Sequence, residues 1–208
     1  NRCYVMTNTP TDQTALAEKE KRSTAPRERI LRAAGEMFHK YGIHAVGVEA
    51  IAAAAHSNKM TLYRHFSSKE MLIAATIREQ HKASEAAWQA LQEAYPNDPR
   101  GELNGWLEMM YAYIQSPGEL SCKFIDKAID VRDAQHPARV AIEEINHVHI
   151  NHLIEMCRAI GFKSHEVLAV NLFIVFKGAD ESRHIGTHRL AVSLRQMVQT
   201  LIAPHEPH

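Results

Sequence analysis

From Arg27 almost to its end, the chain repeats apolar side chains every three or four residues and nowhere alternates them every second residue. That period buries an apolar face only when the chain coils into amphipathic helices and packs them together. In the first stretch Ile30, Ala34, Met37, Phe38 and Tyr41 share one helical face. Gly42 follows, a residue that tolerates the left-handed end of a helix. Further breaks stand at Pro96-Asn97-Asp98-Pro99, Ser116-Pro117-Gly118, His136-Pro137, Gly161 and Gly186. They predict helices over about 27–41, 48–54, 58–65, 68–94, 100–115, 120–131, 137–160, 164–181 and 187–202. The expectation is an all-α chain of about nine helices with no sheet and no internal repeat.

Composition bounds the class. A length of 208 residues suffices for a sizeable core, and 45% hydrophobic with 23% charged residues is an ordinary globular balance. Cys3, Cys122 and Cys157 are odd in number and widely spaced, which suits a reducing compartment, and Cys122 and Cys157 read as buried thiols. The longest apolar run, Val167 to Phe176, is interrupted by Asn171. It is far below the ~20 residues a membrane span needs. No apolar leader precedes the helices, so a cytoplasmic protein is expected. Residues 1–23 are polar and aperiodic and read as a flexible arm. Met6 is a candidate start, which would leave Asn1 to Val5 upstream of it.

The two short helices near 48–54 and 58–65, joined by about four residues, form a helix-turn-helix pattern. In such a pair the second helix enters the major groove of DNA. Its outward side chains would be Lys59, Met60, Thr61, Tyr63, Arg64 and His65, with Leu62 and Phe66 turned inward. Hydroxyls on Thr61 and Tyr63 suit phosphates. Lys59 and Arg64 suit phosphates or guanine edges, and Met60 suits a thymine methyl. Ser68 is a candidate N-cap for the next helix, and Lys69 lies where free backbone N–H groups also attract phosphate. Overall charge is zero, which argues against nucleic acid, but its distribution argues for it. Residues 19–82 hold 12 Lys and Arg against 6 Asp and Glu, whereas residues 83–208 hold 11 against 16. The basic charge is gathered on the helix-turn-helix piece, as phosphate affinity requires. Lys19, Lys21, Arg22, Arg27 and Arg29 form a basic approach to the first helix.

Ile30-Leu31-Arg32-Ala33-Ala34 through Phe38 and Tyr41-Gly42, then Val48-Glu49-Ala50-Ile51-Ala52, then Lys59-Met60-Thr61-Leu62-Tyr63-Arg64-His65-Phe66-Ser67-Ser68-Lys69-Glu70 resemble the N-terminal domain of TetR-type transcriptional regulators. The resemblance is close over about 27–72. It implies a helix-turn-helix domain over 24–70 and a larger helical ligand-binding and dimerisation domain over 71–208. It assigns Tyr63 and Lys69 to phosphates, Lys59, Met60, Thr61, Arg64 and His65 to the groove, and Asn58 to the cap of the recognition helix. It also implies a homodimer bound to double-stranded operator DNA, released by a small molecule and acting as a repressor, with no enzymatic activity and no cofactor. Farther along, Cys122, His136-Pro137-Ala138-Arg139, Gly161 and Gly178-Ala179 look like landmarks of the ligand-binding half. Two departures stand out. The turn reads His56-Ser57 where the family usually has Gly-Val; a histidine can take left-handed geometry at some cost, so a slightly altered turn is expected. Met60 stands where the family often has a small residue.

The remaining two-thirds is acidic and rich in large apolar side chains. Trp106, Met110, Tyr113, Phe124 and Phe173 are candidate ligand contacts, although a stripe at helical spacing is also what a plain core looks like. His149 falls within the apolar stripe of helix 137–160 and His152 at its edge, so each needs a polar partner or a ligand. Leu168, Leu172, Val175 and Phe176, with Leu190, Leu194, Met197, Val198 and Leu201, supply faces for a core or for a second copy. A competing reading uses Glu144 with His147 and Glu181 with His184. Each is a Glu-x-x-His pair of the kind that builds metal centres in helical-bundle enzymes. A third reading is a ligand-binding helical protein whose basic end meets a protein partner.

Overall fold

The computed structural model describes residues 25–115, 133–183 and 190–207. Among these, eight α-helices and no strand are present: α1 Pro26–Tyr41, α2 Val48–Ala54, α3 Lys59–His65, α4 Lys69–Ala94, α5 Pro99–Gln115, α6 Pro137–Ile160, α7 His165–Arg183 and α8 Leu190–Ile202. A short 3₁₀ turn, Ala203–His205, follows. The helix expected over 120–131, the arm over 1–23, and Cys3, Cys122, Phe124 and His184 lie outside the described residues.

Proline opens three of these helices. Pro26, Pro99 and Pro137 each occupy a first turn, where a missing N–H costs nothing because that group has no intrahelical partner. Two of these starts are capped by the preceding side chains. Asp98 Oδ1 accepts from Gly101 N at 2.9 Å, and His136 Nδ1 accepts from Ala138 N at 3.2 Å. At the opposite end of α6, Gly161 takes φ +84°, and Phe162 N bonds back to Cys157 O at 3.2 Å. The helix therefore ends in a left-handed turn.

The described residues fall into two compact units, residues 25–77 with 133–139, and residues 78–115 with 140–183 and 190–207. In the first, α1 packs on α2 and α3, and α2 packs on α3. Its buried side chains include Ile30, Ala34, Phe38, Ile51, Leu62, Phe66, Leu72 and Ile77. Each large aliphatic or aromatic side chain so buried contributes about 1.5–3 kcal/mol. Tyr41, expected on the inward face of α1, instead stands 55% exposed. It comes one residue before the break at Gly42, and the Lys40 ammonium lies 5.1 Å from its ring.

In the second unit a core forms from Trp88, Leu103, Trp106, Leu107, Tyr111, Leu153, Met156, Cys157, Phe162, Leu168, Leu172, Phe176 and Val198, among others. α5 packs on α7 and α8, and α7 packs on α8. The Cys157 thiol is fully buried, and that burial raises its pKa to about 11. It is a packing group rather than a reactive one. Two bidentate ion pairs tie the C-terminal elements to α5. Arg195 donates to both oxygens of Glu108, at 2.6 and 2.7 Å, and its guanidinium lies 4.1 Å from the Tyr111 ring centre. Arg100 grips both oxygens of Glu206.

α4 and α5 approach so closely that a methyl group at Gly105 would stand 2.7 Å from Tyr95 Cε2 and 2.8 Å from Leu91 Cδ1. Those atoms must move to admit it, so overpacking outweighs the helix propensity alanine adds. Gly105→Ala is expected to lower unfolding free energy by about 1–3 kcal/mol in urea melts. Unchanged or increased stability would show that Tyr95 yields freely.

Candidate nucleic-acid interface

α3 is seven residues long, and its geometry is held at both ends. Ahead of it, α2 ends in a Schellman turn: Ser57 N bonds to Ala52 O at 2.8 Å and His56 N to Ala53 O at 3.0 Å. The residue that must turn left-handed is His56, at φ +47°. This is the histidine that stands in the family's usual glycine position. Asn58 then caps α3, with Oδ1 accepting from Thr61 N at 2.8 Å. On the far side, Ser68 Oγ accepts from Met71 N at 3.2 Å and opens α4. The Glu70 carboxyl is held below the usual carboxylate range by backbone N–H bonding and the Ser68 hydroxyl.

With its ends fixed, α3 divides into two faces. Leu62 and Phe66 are buried. Met60 is 81% exposed, Tyr63 39% exposed, and Arg64 is exposed beside them. Spacings of three and four place these three on one side of the helix. Thr61 and His65 are half-buried, and His65 Nε2 is a buried atom without a hydrogen-bond partner. Lys69 is half-buried in the first turn of α4. Arg27 is exposed, its guanidinium 5.2 Å from the Phe66 ring centre, so the aromatic face steadies it. Arg29 Nε donates to Ala55 O at 3.2 Å and ties α1 to the end of α2. Lys59 is exposed, but its ammonium donates to the Glu49 carboxylate. That bond holds Glu49 below the usual carboxylate range and raises Lys59. The pairing is invisible in sequence because it spans ten residues and two helices.

The expected ligand contacts that the structure describes all fall in the second unit. Trp106 is buried, stacked on Trp88 at 6.2 Å and edge-on to Phe176 at 5.0 Å. Met110, Tyr113 and Phe173 are partly buried against the same core. The His152 ring meets Trp88 edge-on at 4.8 Å. Ser84 Oγ lies 3.1 Å from His149 Nε2 and is the polar partner this histidine needed. Burial, reinforced by His81, Lys177 and His152, lowers the pKa of His149 to about 4, so its imidazole is neutral at physiological pH. None of these six residues lines the open cleft of about 440 Å³ bounded by Arg100, Leu107, Glu108, Tyr111, Arg195 and Ile202. The rival Glu144/His147 pair does not assemble. Arg78 bonds Glu144 Oε2 at 2.8 and 3.0 Å, and both members of the pair are exposed.

A capped short helix with an exposed polar face, seated on two others by an apolar face, defines a helix-turn-helix protein. Residues 30–76 match the family described as bacterial regulatory proteins, tetR family. The chain is 45% identical over 58 residues to the HTH-type transcriptional regulator UidR of Escherichia coli K12, covering 27% of this chain and 30% of UidR. It is 36% identical over 90 residues to the HTH-type transcriptional activator FasR of Mycolicibacterium smegmatis, covering 43% of this chain and 40% of FasR. The match thus spans less than half the length of either relative. Among solved structures, the TetR-family regulator SCO4454 of Streptomyces coelicolor shares the fold, with TM-score 0.75 at 24% identity over 88% of this chain and 96% of that one. The protein sav143 of Streptomyces avermitilis, assigned provisionally to the TetR regulators, superposes with TM-score 0.73 at 27% identity over 89% of this chain and 100% of that one. Residues 30–76 thus match the helix-turn-helix segment of that family, and the two solved structures share the overall helical fold.

The left-handed conformation costs a non-glycine residue about 1–2 kcal/mol. His56→Gly is therefore expected to raise stability by up to about 1 kcal/mol, glycine's own unfolded-state entropy taking back the rest. Chemical denaturation of the two proteins checks this. A destabilised glycine variant would show that the histidine ring makes a compensating contact.

Proposed function

We propose that this chain is a homodimeric transcriptional repressor of the cytoplasm that binds double-stranded operator DNA and is released from it by a small molecule. The observation that carries the reading is the outward face of α3. Met60, Tyr63 and Arg64 stand exposed on a helix whose other face and both ends are fixed. Around them Arg27, Asn58, Lys59, Thr61, His65 and Lys69 supply cations, hydroxyls and amides of the kinds that meet phosphates and base edges. No described helix is long and apolar enough to cross a membrane.

Dimerisation is supported by α7 and α8. Val167, Val170 and Ile174 are exposed at spacings of three and four along α7, and Met197 is half-exposed on α8. A two-fold dimer would present two copies of α3 to half-sites about 34 Å apart. Small-molecule control is supported by the apolar body that carries Trp106, Met110, Tyr113, His149, His152 and Phe173, with Phe124 a further candidate on its sequence alone. A ligand that favours the arrangement unsuited to DNA must be bound less well when DNA is bound, by the same factor.

Selection of bound DNA from a random pool, followed by a compound screen for release, tests the reading. Tyr63→Phe is expected to weaken every sequence alike. Exchanges at Met60 or Arg64 are expected to change which sequence is preferred, each base no longer read costing about 1–3 kcal/mol. Glu49→Gln frees Lys59 and is expected to tighten binding at low salt and steepen the salt dependence by about one phosphate neutralised. Binding unaltered in all of these would place the DNA surface elsewhere. Ile174→Glu is expected to convert a dimer to monomers in sedimentation; a wild-type monomer would end the dimer reading.

A further inference from the structure

The second unit holds a cluster that shares His149 and His152 with the proposed ligand site and adds His81 and Glu85, which that site leaves unexplained. His81 and Glu85 lie one turn apart on α4, and His149 and His152 one turn apart on α6. Three ligand atoms, one each from His81, Glu85 and His149, lie within 4.8 Å of one another. Glu85 Oε1 stands 3.3 Å from His81 Nε2 and 4.0 Å from His152 Nδ1. Yet the geometry forms no hydrogen bond: Glu85 Oε1, His81 Nδ1 and His152 Nδ1 are buried atoms without a partner. The His81 and His149 rings meet edge-on at 5.0 Å. Trp88 closes one side against His152, and the Ser84 hydroxyl holds the His149 ring.

Buried polar atoms are ordinarily satisfied. Here a carboxylate oxygen sits between two imidazoles, close to both and bonded to neither. A tetrahedral ion with bonds of about 2.0–2.1 Å holds neighbouring ligand atoms about 3.3 Å apart. The His81–Glu85 separation already has that value, and the His152–Glu85 separation is larger by less than 1 Å. His152 stands outside the three whose ligand atoms lie within 4.8 Å of one another, so its side chain must swing inward to complete a set of four. Three imidazoles and one carboxylate suit zinc, cobalt or nickel. Magnesium and calcium ask for oxygen ligands instead. The Glu85 charge offsets part of the ion's charge, against which the Lys177 ammonium near His149 works. Glu102, on α5, adds a second carboxyl near His152. The set lies between two helices far apart in sequence and shares no member with the Glu144/His147 pair.

We infer that His81, Glu85, His149 and His152 form a site for one divalent transition-metal ion of the zinc class, bound between α4 and α6. The test uses the full chain, stripped with a chelator and titrated with Co²⁺, then with Zn²⁺. One Co²⁺ per chain is expected, with the intense visible absorption of four-coordinate cobalt, displaced by Zn²⁺. Glu85→Gln keeps the side chain's size, and His149→Gln keeps a polar group beside Ser84. Each is expected to weaken cobalt binding at least tenfold and abolish the absorption while keeping the helical circular dichroism. His147→Gln, exposed on the same helix, should leave both unchanged. Zn²⁺ should raise the melting temperature of the wild type and not that of Glu85→Gln. Wild-type uptake no greater than that of the Glu85→Gln/His149→Gln double variant would overturn the site. So would disappearance of the signal in His147→Gln, since the chain's 14 histidines would then be binding cobalt at the surface.

Discussion

Seven residues are too few for a helix to persist alone in water, because nucleation costs more than one turn of hydrogen bonds returns. α3 exists because Leu62 and Phe66 are buried in the core that α1 and α2 build around Phe38 and Ile51. Everything else at that end of the chain serves the same dependence. Asn58 satisfies an orphan amide at its start, the His56 turn sets its entry angle, and Arg29 holds the end of α2 to α1. The exposed face inherits its rigidity from these contacts. Without the two apolar anchors no recognition geometry remains.

Electrostatics works on a different scale. Formal neutrality of the chain conceals a basic N-terminal region and an acidic remainder. The structure refines this further, since not every cation in the basic region stands equally available. The Lys59 ammonium is occupied by Glu49, while Arg64 stands open to solvent. In water such an exposed pair is weak and easily exchanged, so a phosphate can compete for Lys59. For a proposed DNA-binding protein this tempers non-specific attraction while leaving the cation within reach.

The fold was legible because helix ends carry local chemistry. Proline at first turns, Gly42 and Gly161 at ends, and caps such as Asn58 and Ser68 mark boundaries that periodicity alone leaves vague. Two starts shift at proline: Pro26 and Pro99, one residue outside the expected starts at 27 and 100, sit inside the first turn. Tyr41 departs from its expected burial because a period says which face a residue shares, not where the covering partner stops. The candidate interface was legible for the same local reason, being a short segment with fixed spacing. What stayed hidden depends on contacts between helices: Glu49 with Lys59, Ser84 with His149, and His81 and Glu85 facing His149 and His152. His149 and His152 could be singled out by their apolar stripe. His81 and Glu85 could not, because a histidine and a glutamate one turn apart on a long helix look like any solvated face.

The division of α3 into an anchored face and a free one also bears on how such a protein changes over generations. Met60, Tyr63 and Arg64 contribute little to the core, so exchanges among them are nearly neutral for folding. Leu62 and Phe66, interleaved with them, tolerate almost none. One short stretch therefore holds positions that drift freely beside positions that are frozen. Duplicated copies of the gene could exchange the outward side chains without first accumulating stabilising changes elsewhere. The two-faced helix separates the history of its outward side chains from the history of how the chain folds.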